Sequence, residues 1–219
     1  PSEVEIYSML TNYQNGRFDD AERQALSITK QFPNHQFGWK ILGGIFEHTG
    51  RVSEAVVANQ KAVQLVPLDA EAHSNLGNTL QKLGRIEEAE ASCRQAIKLK
   101  PDYAEAHSNL GNTLQEMRRS EEAEACCRQA ILLKYNLAEA HNNLGTVLKD
   151  LDKLEDAKAS FELAIKFKPN FAQAHNNLGI TLQKLDRLQE AEESYIRAIA
   201  LKPNYVQAHS NLGGTLKDL

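Results

Sequence analysis

The decapeptide AHSNLGNTLQ at residues 72–81 returns unchanged at 106–115, and in close variants as AHNNLGTVLK at 140–149, AHNNLGITLQ at 174–183 and AHSNLGGTLK at 208–217. The copies follow each other at 34 residues. A fixed period of this length marks a stack of like units and overrides any domain count drawn from the 219-residue length. The register runs back to Gln36 and Ser2, giving units 2–35, 36–69, 70–103, 104–137, 138–171 and 172–205, and a half unit 206–219.

Within one unit, Ala72, Leu76, Leu80 and Leu83 fall at helical spacing until Gly84-Arg85 interrupts. A second helical run carries Ala89, Cys93, Ala96, Ile97 and Leu99 on one side, and Pro101-Asp102 closes it. Such a pair cannot bury its apolar stripe alone, so successive pairs must stack, and residues 1–219 read as one all-α domain. Gly77 with Ala89, repeated as Gly111/Ala123, Gly145/Ala157 and Gly179/Ala191, is expected to bring the two helices of a pair close together.

These features resemble the tetratricopeptide repeat family over the whole chain. The matching positions are the Leu-Gly pair (Leu42-Gly43, Leu76-Gly77), the second-helix Ala (Ala21, Ala55, Ala89, Ala123, Ala157, Ala191), the later Ala (Ala62, Ala96, Ala130, Ala164, Ala198) and the closing Pro (Pro33, Pro67, Pro101, Pro169, Pro203). The resemblance implies a right-handed superhelical solenoid of antiparallel helix pairs, with the first helices lining a concave groove that binds protein. Departures are visible. Only Trp39 keeps the family's aromatic at the fourth position, where five copies carry His; Tyr135 replaces a closing Pro; and the inter-helix Gly becomes Arg118, Asp152 and Asp186. Residues 2–35 diverge most and are expected to act as a cap. Leu212, Leu216 and Leu219 would face nothing, so the chain is expected to be a fragment of a longer protein, able to self-associate through 206–219.

On each first helix a polar stripe can be counted off: Glu71, Ser74, Asn75, Asn78, Gln81 and Lys82. The resemblance turns this stripe into the groove. Its repeated member is Asn75, Asn109, Asn143, Asn177 and Asn211, and the AHSNLG segments resemble the repeat domain of the O-linked N-acetylglucosamine transferases, where an Asn ladder holds a peptide backbone. A primary amide donates and accepts, and so can pair with a peptide unit without reading its side chain. The binding set expected here is that ladder with Asn78, Asn112, Ser74, Ser108, Asn142 and Asn176 beside it, and the ligand is an extended peptide or protein segment. About 1 kcal/mol per hydrogen bond is largely offset by ordering the peptide, so the ladder alone should bind weakly.

The rest of the sequence narrows the function. A net charge of −4 spread along the chain argues against nucleic acid and anionic membrane surfaces, and no run is long and apolar enough for a membrane span. A cytoplasmic location is expected. Cys93, Cys126 and Cys127 follow no disulfide or metal spacing; Cys93 and Cys127 stand where other units have Phe161 and Tyr195, and are expected to be small buried fillers. His73, His107, His141, His175 and His209 recur too far apart to share a zinc ion, so packing with a ring nitrogen on backbone or water is expected, with buried neutral rings that charge near pH 5–6. Glu87-Glu88, Glu121-Glu122 and Glu155-Asp156 start second helices, where negative charge suits the dipole. Nearly neutral residues at the positions of Lys40 and Ser74 argue against a carboxylate clamp. No catalytic grouping, cofactor motif or metal triad is present. The expected function is therefore a non-enzymatic binding scaffold, with a substrate-recruiting domain of a transferase and a self-associating structural module as the alternatives.

Overall fold

The computed structural model describes residues 1–219 and contains thirteen α-helices and no strand. The helices are α1 (Glu3–Gln14), α2 (Phe18–Gln31), α3 (Gln36–His48), α4 (Val52–Leu65), α5 (Ala70–Lys82), α6 (Ile86–Leu99) and α7 (Ala104–Glu116), followed by α8 (Ser120–Leu133), α9 (Ala138–Asp150), α10 (Leu154–Phe167), α11 (Ala172–Lys184), α12 (Leu188–Leu201) and α13 (Val206–Asp218). From α3 onward the first helix of each pair starts on the first residue of a 34-residue unit. None of the helices is long and apolar enough to cross a membrane. The chain divides into two compact units, Pro1–Leu110 and Gly111–Leu219.

In the first unit, α3 packs on α4 and α5 on α6, and α4 in turn packs on α5. The second unit repeats this order, with α9 on α10, α11 on α12, and α10 on α11. Within each unit the first helices also touch one another, α1 with α3, α3 with α5, α9 with α11 and α11 with α13. Within each unit no second helix touches the next second helix. Each unit therefore bends with its first helices on the inner side.

The contact points are held by alanines with no exposed surface: Ala21, Ala55 and Ala89 in the first unit, Ala123, Ala157 and Ala191 in the second. Gly77 works as the spacing suggests and does more. A Cβ on it would lie 3.2 Å from the Ala89 carbonyl oxygen and closer still to Cys93 Sγ, so it accommodates both residues. Gly145 and Gly179 stand in the same way against the rings of Phe161 and Tyr195. Cys93 and Cys127 are fully buried, as fillers of that position should be, and burial pushes the Cys127 thiol up to about 12.

Each first helix ends in the same turn. The Arg85 amide donates to the Leu80 carbonyl at 2.9 Å and the Gly84 amide to Gln81 at 2.9 Å, closing the helix with Gly84 at φ +80°. Arg119, Lys153 and Arg187 repeat the long bond in the second unit. Tyr135 leaves the inter-pair turn as it is in the proline copies, since the Leu137 amide donates to Lys134 at 3.1 Å just as Tyr103 does to Lys100. The acidic first turns of the second helices gain a partner as well as the dipole: Glu88, Glu122 and Glu190 each pair with the Arg three residues before. These pairs are exposed, so each contributes little.

Candidate functional site

The five histidines share one arrangement. Nε2 of His73, His107, His141, His175 and His209 lies 2.7–3.1 Å from the carbonyl oxygen six residues earlier, at Pro67, Pro101, Tyr135, Pro169 and Pro203. A carbonyl only accepts, so Nε2 carries the proton. Trp39 Nε1 does the same to Pro33 at 3.1 Å, which explains how imidazole replaces indole at this position. The expectation of buried rings is corrected: only His141 is buried, against the rings of Tyr135 and Phe167, while His73, His107 and His175 are partly open to water and His209 is exposed.

For His175, burial lowers the pKa, as does the charge of Arg197, against the opposing Pro169 bond. The folded state then binds fewer protons than the unfolded one near the ordinary His value. The contribution is complete above about pH 6.5 and is lost as the pH falls through the folded pKa. The melting temperature should drop slightly between pH 7.5 and 5.5, and the drop should shrink in His175→Gln. An unchanged pH profile in that variant would remove His175 as its source.

The Asn stripe lies on the inner side but is partly used by the protein itself. Asn109 Nδ2 donates to Ser74 Oγ at 3.1 Å, Asn177 Nδ2 to Asn142 Oδ1 at 3.2 Å and Asn211 Nδ2 to Asn176 Oδ1 at 3.1 Å. Each bond ties one first helix to the first helix before it. Ser74, Ser108, Asn142 and Asn176, expected to line the groove, are instead 1–4% exposed. The reason is the direct contact of neighbouring first helices, which covers the edge of the stripe on which these residues fall. Asn78 donates to Glu47 at 2.8 Å, Asn143 is half-buried, and Asn112 carries no side-chain hydrogen bond. Asn75 differs from the other ladder residues: Lys40 stands where Ser74 would be one unit later, and the Asn75 amide is unbonded.

Around Asn75 the inner side of the first unit forms a cavity of about 420 Å³. Leu10 and Tyr13 of α1 and Phe37 and Ile41 of α3 supply its apolar wall. In the 34-residue register these four occupy the positions of Asn78, Gln81, Glu71 and Asn75, so the polar stripe of the later units is apolar here. That register comparison is the signal that could have found them; counting along a single helix passes over it. Gly44 admits the Tyr13 hydroxyl, which would lie 2.7 Å from any Cβ there. Burial raises the Tyr13 pKa, and the charge of Glu47 adds to this.

The charges around the cavity are already paired. Lys40 Nζ meets Glu71 at 2.5 Å and Asp69 at 3.1 Å, while Glu47 accepts from Lys82. Burial opposes the charge on Lys40, but the hydrogen bonds and charges of Glu71 and Asp69 outweigh it and hold the pKa above the usual value. A ligand carboxylate would have to displace one of them. The cavity thus offers apolar contact and the unbonded amides of Asn75 and Gln14, with no free cation. The Asn59 side chain, which also lines it, is 1% exposed; its Nδ2 donates to Thr79 at 3.3 Å and its Oδ1, packed against Gly43, has no donor.

Sequence models of the tetratricopeptide repeat match residues 70–103, 92–125, 138–171 and 172–205, and a TPR repeat model matches 45–84. No curated protein sequence matches the chain. Among solved structures, the APC/C hetero-tetramer Cut9-Hcn1 superposes with a TM-score of 0.88 at 18% identity over 97% of this chain, which spans 42% of that one. TTC0263, a thermophilic TPR protein of Thermus thermophilus, gives 0.75 at 21% identity, covering 84% of this chain and all of its own. YrrB, described as a TPR protein with an unusual peptide-binding site, gives 0.55 at 20% identity, covering 89% of this chain and 98% of its own. At these identities the likeness is one of fold.

Proposed function

Because this chain belongs to the tetratricopeptide repeat family, we propose that it is a scaffold binding an extended protein segment on the inner side of its first unit. One observation carries the reading: Leu10, Tyr13, Phe37 and Ile41 replace polar stripe residues at one place and enclose a cavity beside the unbonded Asn75 amide. An apolar side chain of the ligand enters the cavity, and Asn75 pairs with the adjacent peptide unit through both its donor and its acceptor. The resemblance to the transferase amide ladder supports a backbone-reading role, and YrrB, of the same fold, is described as having a peptide-binding site. In the second unit, Asn177 and Asn211 have each spent one N–H on the first helix before their own. The affinity therefore rests on the anchor more than on the ladder.

A fluorescence-polarisation screen of a peptide array tests this. Peptides with a large apolar residue should bind, Phe37→Glu should weaken them about tenfold, and Asn75→Ala should weaken them about fivefold, the equivalent of about 0.5 kcal/mol for each of two exposed hydrogen bonds. Circular-dichroism melts confirm that both variants fold. Equal binding by wild type and Phe37→Glu would displace the site from this cavity.

A further inference from the structure

In the second unit a different surface breaks the repeat pattern. An open groove of about 610 Å³ runs between the second helices α8 and α10, which do not touch, and its floor is the packing side of α9 at Leu144 and Leu148. Three of its lining residues are exceptions in the register. Leu132 stands where other units have Gln64, Lys98, Lys166 and Ala200; Leu163 stands where they have Lys61, Gln95, Gln129 and Arg197; and Tyr135 stands where they have Pro. All three fall on this groove and turn its rim apolar.

Leu163 is partly buried, and the other two are exposed. Leu132 is 79% exposed and Tyr135 is 62% exposed, with its ring edge-on to His141 and Phe167 at 5.7 and 5.4 Å. Exposed large apolar residues gathered around a groove mark an interaction site. The charges on the rim indicate the kind of partner. Arg128 is tied to Glu124 at 2.8 Å, a carboxylate it shares with Lys153 at 3.0 Å, so this cation already has a partner. Across the groove the Asp156 carboxylate, in the first turn of α10, has no ion pair. Of the two charged residues that line the groove, Asp156 is the one without an ion pair, and a cation of the partner can meet it beside the apolar contact.

We propose that this groove docks an amphipathic helix of a protein partner, with large apolar side chains at i, i+3 or i+4, and i+7 over Leu132, Tyr135 and Leu163, and a Lys or Arg meeting Asp156. Two helices over a third form a trough that accepts one more helix at the usual 8–10 Å packing distance, and helix-in-groove recognition has this anchor spacing. The groove is open along its length and does not enclose a small molecule as a ligand pocket would. This site is separate from the cavity at Asn75, and neither reading depends on the other.

The test is selection from a phage-displayed library of helical peptides, followed by anisotropy with the synthesised winners. The wild-type chain should enrich peptides with the stated apolar spacing and a basic residue. Leu132→Lys/Leu163→Gln, which restores residues used elsewhere in the register, should bind them at least about tenfold more weakly, a loss of about 1.4 kcal/mol, with its melting curve unchanged. Asp156→Asn should bind them about threefold more weakly and lose part of the salt dependence, while Asn75→Ala should bind as wild type does. Peptides without the apolar spacing, or equal binding by the double variant, would overturn the proposal. So would concentration-dependent light scattering by the wild type that the double variant loses, since the groove would then belong to a second copy of this chain.

Discussion

Replacing Phe161 by Ala should destabilise the second unit by about 3–5 kcal/mol, and adding a methyl at Gly145 in that background should recover part of the loss. Phe161 has no exposed surface and is packed with Leu144, Leu148 and Ala157, with Cys127, Ile131 and Leu178 around it. Removing the ring leaves a cavity that two packed helices cannot close, because their separation is set by the fully buried alanines on α10. Gly145 makes the effect diagnostic. A Cβ there would lie 2.7–2.8 Å from three ring carbons of Phe161, so Gly145→Ala alone overpacks the core and should cost about 1–3 kcal/mol. Once the ring is gone the same methyl fills space and gains about 0.5–1 kcal/mol from helix propensity. The change of sign is the result to look for. Denaturant unfolding and amide exchange of α9 and α10 across the four-protein cycle measure it, and additive effects of the two substitutions would show that glycine and ring do not meet as described.

The same pair of positions shows what a sequence reading reaches and where it stops. Period, helix limits and the alanine contacts are local properties repeated many times, so one unit explains all of them. The inner face is different. Ser74, Asn142 and Asn176 count as surface on a single helix, and they are buried only because first helices of successive pairs come into contact, a property of the stack's curvature. For the same reason, spacing puts Asn109, Asn177 and Asn211 on a polar stripe and the family resemblance turns that stripe inward, whereas their bonds to the previous first helix are visible in neither. The apolar patch at Leu10, Tyr13, Phe37 and Ile41 lies in units where the motif itself is weakest, so a reading built on the motif passes over it. The groove at Leu132, Tyr135 and Leu163 draws on two helices and a turn that are distant along the chain, and only packing assembles it.

Substituting glycine for Arg118, Asp152 and Asp186 together should raise stability by about 1.5–2 kcal/mol, through the turn that ends each of these first helices. These three residues have φ of 58°, 59° and 60°, where Gly16, Gly50 and Gly84 have 71°, 77° and 80°. A side chain in the left-handed region costs about 1–2 kcal/mol. Glycine removes that cost but adds about 0.4–1 kcal/mol of freedom to the unfolded chain. The net is about 0.5–1 kcal/mol per turn, with the Asp positions at the low end because Asp tolerates this region better than Arg. The bonds that define the turn are main-chain, Arg119 to Leu114 at 3.0 Å, Lys153 to Leu148 at 2.9 Å and Arg187 to Leu182 at 2.9 Å, so no contact is lost with the side chain. The three turns lie one unit apart in sequence, and their effects should add. Denaturation midpoints of the single, double and triple variants check this, with Gly84→Asp as the converse and an expected loss of similar size. A triple variant no more stable than wild type would mean that Arg118, Asp152 and Asp186 make compensating interactions at the ends of their helices.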